Sequence, residues 1–544
     1  MKPLHFLPLL LLQLLCHSLW SSAAAQTLST SSRWIVSENG TRVKLACANW
    51  PSHLDTMVTE GLSLQPLDKI SKNIGAMGFN CVRLTWALYM LTNATMGNLT
   101  VRQSFQNHGL NDALAGFQRH NPRLLDLTVV QSFQAVVSNL GSNDIMVIID
   151  NHLSKPGWCC SRTDGNAFFG DIYFDPDTWI NGLSKMASMF KGVSNVVGLS
   201  LRNELRGQRQ SVSDWYRYMQ QGAEAVHAAN PNVLVILSGL YFDNDLGFLG
   251  GKQVQVSFTG KLVFELHWYS FSDSKAWATG NVNEVCGRMT GNVMNKGGFL
   301  LKRGFPVFFS EFGMDQRNTN QNDNRYMSCY LAAAADHDWD WAIWSLQGSY
   351  YLREGTVGLE EMYGMLSWDW SEIRNPAYLR RISSLQAPFQ GPAISNVKPY
   401  KVLYYPLTGQ CVWTDPNLML GLCAGTMGAW NYTPEKTLTL EGSNLSLQAV
   451  GAGQPVELAT LGGNGTDAAA VTWEPTSASK MHLSTKMADG TTLCLDVDSA
   501  NALVTNPCKC LSGDPTCDPT TQWFKIVDSI KPRSSSSLSS STSI

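Results

Sequence analysis

Short apolar runs alternate with longer amphipathic stretches from about residue 42 to 350. Near-continuous apolar runs are typical of strands buried on both faces of a parallel sheet, with the amphipathic stretches forming helices outside it. The runs cover 43–48, 79–84, 145–150, 196–201, 233–238, 262–266, 306–310 and 339–345. Eight such units predict an α/β fold, a closed (β/α)8 TIM barrel. An open doubly wound sheet is the alternative, but no G-x-G-x-x-G follows the first run.

Amphipathic stretches between the apolar runs predict helices. The clearest cover 67–77, 176–190, 212–229 and 322–335. Asp175-Pro176 and Ser213-Asp214 are candidate helix starts, because Asp and Ser accept hydrogen bonds from free N–H groups and proline suits the first turn.

The last third of the chain has a different pattern. Scattered prolines over 373–399 predict a linker. Period-two segments follow at 437–440, 445–450, 481–485 and 493–497, separated by Gly-, Asn- and Asp-rich turns, which predicts a smaller all-β domain. Trp430, Trp473 and Trp523 recur at intervals of 43 and 50 residues and indicate three related units.

The start of the chain has the features of a secretory signal. Lys2 precedes an apolar core, and Ala23-Ala24-Ala25 offers a cleavage site. An uncleaved anchor is the alternative, although the apolar core is short for a membrane span. We therefore expect a signal peptide at 1–25, a barrel domain at 26–385, a linker at 386–399, a β-domain at 400–528 and a disordered Ser-rich tail at 529–544.

Cysteines and glycosylation motifs agree with an extracellular or cell-wall location. Loss of the signal removes Cys16 and leaves twelve cysteines, six before residue 330 and six after 410, so each half can be closed by its own disulfides. N-x-S/T motifs start at Asn39, Asn93, Asn98, Asn431, Asn444 and Asn464. The pairing of the cysteines stays open at this point.

Charge and composition limit the classes of molecule that the protein is expected to bind. The net charge is −3 and there is no Lys/Arg-rich run, which argues against nucleic acid or an anionic membrane as a partner. The 18 tryptophans offer flat faces on which sugar rings can stack. We expect a monomer that binds carbohydrate.

Polar residues follow the apolar runs at the end where a barrel collects its reactive groups. Glu204 and Glu311 close the fourth and seventh runs, so they should face each other across the barrel mouth. Glycosidic cleavage needs two carboxyl groups with different roles, and we assign Glu204 as acid/base and Glu311 as nucleophile. The charge of Glu311 should raise the pKa of Glu204.

Six further residues are candidates for substrate binding and for tuning the two acids. Arg83 and Tyr269 should keep Glu311 ionised by donating hydrogen bonds. Asn203 is suited to the sugar 2-hydroxyl, and Trp344 to stacking under a sugar ring. His152 and His267 are suited to sugar hydroxyls and catalytic groups. Three metal ligands at suitable spacing are not evident, and no metal is expected.

These residues resemble glycoside hydrolase family five, the cellulase-like clan, over roughly residues 33–385. The motifs are VRLTW, IDNH, LRNEL, LHWY, SEFG and AIWSL. The resemblance implies a retaining β-glycosidase without cofactor or metal. One difference is Leu205, where the family often has proline after the acid/base residue. A non-catalytic carbohydrate-binding protein and a transglycosylase are the alternatives.

Two further segments suggest carbohydrate contacts. Residues 400–528 resemble a ricin-type β-trefoil, which implies sugar binding with Asp496 as a weak candidate contact. The family's Gln two residues before each Trp is absent here. Trp158 lies beyond the third apolar run and is a candidate sugar platform, while the neighbouring Cys159 and Cys160 are interpreted as a staple of that loop.

Overall fold

The computed structural model describes residues 27–414, 418–423, 428–462 and 470–532. The predicted signal peptide, the glycosylation motif at Asn464 and residues 533–544 of the predicted tail lie outside the described residues. An antiparallel pair, β1 (Ser29–Ser31) and β2 (Trp34–Val36), precedes the first domain.

Eight parallel strands close into a barrel, as the alternation of apolar runs predicts. Each strand pairs with the next along the chain, and the last returns to the first. They are β3 (Ala46–Trp50), β4 (Cys81–Ala87), β5 (Met146–Leu153), β6 (Val196–Ser200), β7 (Leu234–Leu237), β8 (Leu262–His267), β9 (Val307–Phe312) and β10 (Asp340–Ile343). Each of these strands overlaps one of the eight predicted runs, so the barrel prediction is confirmed.

Helices surround the barrel and bury their apolar faces against it. They are α1 (Leu67–Ala76), α2 (Tyr89–Thr92), α3 (Ala94–Gly97), α4 (Val101–Asn107), α5 (Asn111–His120), α6 (Val129–Ser142), α7 (Pro176–Met189), α8 (Val212–Ala229), α9 (Ala276–Thr279), α10 (Val282–Val293), α11 (Phe299–Lys302) and α12 (Gln321–His337). Asp175 caps α7 as predicted. The predicted start of α8 at Ser213-Asp214 is wrong by two residues, because Ser211 accepts the hydrogen bond from Asp214 N.

The stretch before the predicted linker at 386–399 has regular structure. The hairpin β11 (Leu352–Arg353) and β12 (Thr356–Val357) follows the barrel, and then the helix α13 (Pro376–Ser383). The proline at the start of α13 occupies a first-turn position, where a missing N–H costs nothing. Ile382 of α13 and Phe389 beyond it are buried. Residues 386–399 form neither helix nor strand, and their role as a linker stays a prediction.

The rest of the chain is all-β, as predicted. Antiparallel strands form a larger sheet around β13 and a second, four-stranded sheet. They are β13 (Tyr400–Tyr405), β14 (Gln410–Trp413), β15 (Met419–Gly421), β16 (Trp430–Tyr432), β17 (Leu438–Leu440), β18 (Leu445–Gln448), β19 (Glu457–Thr460), β20 (Glu474–Thr476), β21 (His482–Lys486), β22 (Thr492–Val497), β23 (Leu503–Pro507) and β24 (Lys525–Ser529). The three recurring tryptophans are fully buried and serve as core residues.

Disulfides close each half of the chain internally. The first half has Cys47–Cys81, Cys159–Cys160 and Cys286–Cys329, and the second has Cys411–Cys423, Cys494–Cys508 and Cys510–Cys517. Cys159 and Cys160 bond to each other, so this loop is fixed locally and is not tied to another segment.

The β-domain packs tightly on the barrel helices. Asn283 on α10 accepts a hydrogen bond from Trp523 Nε1 at 2.8 Å and donates one to the Cys510 carbonyl at 2.6 Å. Arg325 on α12 donates to the carbonyls of Pro515 and Thr516. Buried side chains of both domains form one continuous apolar cluster. The two domains therefore share part of their apolar core, and the β-domain also has a separate core around Trp430 and Trp473.

Candidate active site

The candidate residues surround a cavity of about 1050 Å³ at the carboxyl ends of the barrel strands. Seven of the eight predicted site residues line it: His152, Asn203, Glu204, His267, Tyr269, Glu311 and Trp344. The eighth, Arg83, is fully buried beneath them on β4. Parallel strands in a closed barrel end at one rim, so residues far apart in sequence meet there.

The two glutamates lie side by side. One carboxylate oxygen each of Glu204 and Glu311 and one ring nitrogen of His267 lie within 4.8 Å of one another. His267 Nδ1 is 3.0 Å from Glu204 Oε1 and 3.6 Å from Glu311 Oε2, so the imidazole touches both acids. The His267 Nε2 atom is 3.0 Å from Ser310 Oγ, which fixes the ring.

Glu311 is held by two strong donors. Arg83 Nη1 donates to its Oε1 at 2.9 Å, and the Tyr269 hydroxyl donates to its Oε2 at 3.0 Å. Burial opposes the charge on Arg83, but the carboxylates of Asp150 and Glu265 outweigh burial and raise its pKa above the ordinary arginine value. The guanidinium therefore stays charged and favours the ionised form of Glu311.

Both glutamates have raised pKa values. Burial raises the pKa of Glu204 to about 7 and that of Glu311 to about 7, with His267 and Arg83 opposing the shift at Glu311. The pKa of Glu204 is raised, as expected, but the charge of Glu311 is not a leading cause of the shift. Loss of solvation is the main cause there, and Asp150 and Asp164 are the carboxylates that add to it.

Glu204 follows β6 in a strained turn. Its φ is +45°, a left-handed conformation that is costly for a residue with a side chain and often found at functional sites. The Asp243 carboxylate accepts a hydrogen bond from Glu204 N at 3.0 Å and holds this turn. Leu205, which follows Glu204, is fully buried, and its carbonyl accepts a hydrogen bond from Phe242 N at 3.0 Å.

Asn203 and His152 form the adjoining wall. Arg83 Nη2 donates to Asn203 Oδ1 at 2.9 Å, which orients the Asn203 amide. That amide nitrogen lies 3.4 Å from His152 Nε2 and within 3.7 Å of both sulfurs of the Cys159–Cys160 disulfide. His152 stacks on Trp344 with 5.6 Å between ring centroids, and burial lowers its pKa well below the ordinary value, so its ring is neutral.

Several supporting residues were not predicted. Asp150 Oδ2 lies 2.6 Å from His152 Nδ1, and Asp150 Oδ1 pairs with Arg83 at 2.9 Å. Glu265 is fully buried on β8, where it accepts a hydrogen bond from Ser200. The period-two spacing of Glu265 and His267 is the signal that could have identified Glu265, since alternate strand residues share a face.

A cation could be held by the same groups, because Glu204, His267 and Glu311 offer three ligand atoms close together. Glu311 already accepts two strong hydrogen bonds, one from a cationic guanidinium, which disfavours a second cation on it. Cys159 and Cys160 are joined to each other and carry no free thiolate. The absence of a metal stays a prediction.

Comparison with known proteins decides the family. The model of the cellulase family, glycosyl hydrolase family 5, matches residues 36–349. The chain belongs to glycosyl hydrolase family 5. A glycosyl hydrolase 5 family protein of Chamaecyparis obtusa is 43% identical over 523 residues, 93% of each chain. An endoglucanase of Paenibacillus polymyxa is 22% identical over 368 residues, 64% of this chain and 84% of that protein.

Solved structures agree with the fold. A hyperthermophilic endocellulase from the archaeon Pyrococcus horikoshii matches with a TM-score of 0.53 at 18% identity, over 67% of this chain and 99% of that chain. A cellulase–inhibitor complex matches with a TM-score of 0.54 at 18% identity, over 67% of this chain and all of that one. As a family 5 member, the protein is a glycosidase that hydrolyses O-glycosyl bonds of a carbohydrate substrate.

Proposed function

We propose that the protein is a retaining β-glycosidase that works by double displacement, with Glu311 as nucleophile and Glu204 as acid/base. The observation that carries this proposal is the short distance between the two carboxylates. Retaining enzymes keep their carboxyl groups about 5–5.5 Å apart, whereas inverting enzymes leave about 6.5–9.5 Å for a water molecule. Oxygens within 4.8 Å of each other favour direct attack on the sugar.

The hydrogen bonds support the division of roles. Both acids have a pKa of about 7, so near neutral pH the pair tends to share one proton. Glu311 accepts hydrogen bonds from Arg83 and Tyr269, which favours its ionised form. Glu204 contacts only His267 through its carboxylate among the described hydrogen-bond partners. The proton therefore belongs on Glu204, where a general acid needs it.

In the first step, a carboxylate oxygen of Glu311 forms a bond to the anomeric carbon while the bond to the leaving oxygen breaks. Glu204 gives its proton to that oxygen, so the leaving group departs as a neutral alcohol. In the second step, Glu204 takes a proton from water. The resulting hydroxyl attacks the anomeric carbon and releases Glu311.

The neighbouring residues fit the demands of these steps. We assign the Asn203 amide to the sugar 2-hydroxyl, because Arg83 fixes the amide beside Glu311. Trp344, 8% exposed, offers part of its ring to a sugar face. His152 and His267 are neutral hydrogen-bonding groups, since burial lowers the pKa of both rings.

The substrate class is proposed to be a β-linked glucan or oligosaccharide. The relatives described as endoglucanases and the neighbours described as endocellulases support this class. Secretion is part of the proposal. Described sequons at Asn39, Asn98, Asn431 and Asn444 are exposed, and six disulfides suit an oxidising compartment. In the part of the chain that the structure describes, every helix is too short or too polar to cross a membrane.

The β-domain is proposed to be a ricin-type β-trefoil that acts mainly as a structural partner of the barrel. The three buried tryptophans and the antiparallel hairpins support the fold. Asp496 is 1% exposed and accepts hydrogen bonds from Asn506, Lys509 and Gln522 within the domain. With its carboxylate engaged in this way, Asp496 has little left to offer a sugar.

Removal of the nucleophile tests the proposal. Glu311→Ala is expected to lower turnover of aryl β-glycosides by about 10³-fold or more, because the covalent step is lost. Added azide should restore part of the rate and give a glycosyl azide of inverted configuration, since the small anion fits the space that the carboxylate leaves. Wild-type turnover in the Glu311→Ala variant would refute the assignment.

A further inference from the structure

The two sides of the acid pair differ in what surrounds them. Given the proposed roles, the leaving group lies on the side of Glu204, and the sugar attached to Glu311 lies towards His152 and Trp344. On the Glu204 side the cavity is lined by residues after β6, β7 and β8. Tyr241 and Phe271 there are 59% and 64% exposed, so this side is open and offers aromatic faces.

On the opposite side, four side chains contact one another, and three of them, Trp158, Arg353 and Glu361, line the cavity. We call them the Trp158–Arg353 bridge: Trp158, Tyr350, Arg353 and Glu361. The Arg353 guanidinium lies 3.5 Å from the Trp158 ring centroid, and the Trp158 and Tyr350 rings meet edge to face at 5.8 Å. Buried Glu361 accepts hydrogen bonds from Tyr350 and Arg353. The bridge joins the loop after β5 to the segment after β10.

Behind the bridge, the space above β3 and β4 is filled by protein. Buried His53 stacks on His152 with 4.0 Å between ring centroids. The Tyr351 hydroxyl donates to Thr59 O and accepts from Leu62 N, so the segment after β3 is tied to the segment after β10. In the described chain, no residue before His152 lines the cavity. An open cleft for a long glycan would continue over these two strands.

We infer that the Trp158–Arg353 bridge closes the glycone end of the cleft, so that the enzyme removes terminal sugar from the non-reducing end of β-linked oligosaccharides. This inference rests on the proposed function, because the roles of Glu204 and Glu311 define which end holds the glycone. A chain that extended further would have to displace the cation–π contact of Arg353 and the buried hydrogen bonds of Glu361. The leaving group is free to be long, because its side is open.

The direct test uses pairs of oligosaccharides that differ only at the non-reducing end. Cellotetraose is compared with cellotetraose that carries a 4,6-O-ethylidene acetal on its terminal sugar, and equivalent pairs are made from β-1,3-glucan and β-1,4-mannan. The wild-type protein is expected to release monosaccharide from the free substrate. It should cleave the blocked partner roughly 100-fold more slowly, because the acetal would meet the bridge.

Variants locate the cause of this preference. Trp158→Ala combined with Arg353→Ala should raise the ratio of blocked to free cleavage rates at least about tenfold, because the end of the cleft is opened. Arg102→Ala is the matched control, since Arg102 is a partly exposed residue on α4 and pairs only with Asp126 among the described ion pairs. The control should leave the ratio unchanged. If the double variant fails to fold, the rates of the wild-type protein on the blocked and free oligosaccharides are enough to test whether the glycone end is closed.

Each outcome separates this inference from the proposed function. If blocked and free substrates are cleaved internally at similar rates, the inference of a closed glycone end is wrong. The proposed retaining mechanism is not affected by that result. An unchanged ratio in the folded double variant would show that the bridge does not set the preference. If no β-linked substrate is cleaved at all, the proposed function fails and the inference fails with it.

Discussion

Two carboxylic acids, the half-buried Glu204 and the buried Asp496, show what separates a reactive site from a structural one. Glu204 lies at the barrel mouth, and burial raises its pKa to about 7. Asp496 lies in the β-domain, where burial acts in the same direction but hydrogen bonds from Gln522, Lys509 and Asn506 outweigh it and lower the pKa. Burial alone therefore does not make an acid catalytic.

The two carboxylates differ in how many hydrogen bonds they accept from the protein. The Asp496 carboxylate accepts hydrogen bonds from donors of its own domain, and these bonds connect β22 and β23 to Gln522, just before β24. Glu204 faces a cavity of about 1050 Å³, and its turn is strained. A carboxyl group that is poorly solvated and has few hydrogen-bond partners is in an unfavourable environment. A substrate that enters the cavity can relieve it by interacting with that group.

Among the substitutions that test the comparison of Glu204 with Asp496, Glu204→Gln is expected to have the largest effect on catalytic rate. The variant should lose about 10²–10⁴-fold in rate on substrates with poor leaving groups, because no proton reaches the leaving oxygen. Aryl glycosides with acidic leaving groups need no such proton and should lose much less in the first step. Initial rates across a series of leaving groups measure this dependence.

The same variant has a predicted pH profile. In the wild-type protein, activity requires one proton on the pair, so it should fall above about pH 7 as Glu204 loses its proton, and at lower pH as Glu311 gains one. Glu204→Gln should lose the alkaline limb and keep the acid limb. An alkaline limb that persists in Glu204→Gln would show that another group is the general acid.

A smaller effect is expected at Asp496, and on stability rather than catalysis. Asp496→Ala should lower the free energy of unfolding by about 1–3 kcal/mol, because buried donors lose their acceptor. Turnover of small soluble substrates should not change. The pKa of Asp496 is lowered in the folded state, so its stabilisation is present above the unfolded-state pKa and is lost as pH falls through the folded value.

Chemical denaturation at several pH values measures this contribution. Asp489→Ala is the matched control, because Asp489 is exposed and bonds only within its own turn. Its unfolding should match that of the wild-type protein. A large loss of activity in Asp496→Ala, with stability unchanged, would contradict the structural role given to this acid.

The sequence predicted the barrel and the gathering of candidate residues at one rim, because both depend on local pattern, whereas the roles of the eight candidates stay predictions. Apolar runs mark strands, and polar residues at the ends of runs collect at one rim. The Trp158–Arg353 bridge could not be predicted from the sequence, because Tyr350 lies in a loop and Arg353 in the two-residue strand β11, which is too short to show a periodic pattern. Helix α13 was missed for a related reason, since its proline stands at the first turn of a short helix.

The packing of the β-domain against the barrel could not be predicted from the sequence either. Asn283 is an ordinary polar residue on α10 in sequence, yet it is fully buried and bonds to Trp523 across 240 residues. Contacts between residues so far apart along the chain depend on how two folded domains pack together. Local sequence patterns do not predict them.

The central claim is that Glu311 forms a covalent bond with the sugar. The most direct measurement is peptide mapping by mass spectrometry after reaction with a 2-deoxy-2-fluoro β-glycoside bearing an activated leaving group, which slows release of the intermediate. The peptide containing Glu311 should gain the mass of one fluorosugar. A label on a different residue, or steady turnover without any covalent species, would contradict it.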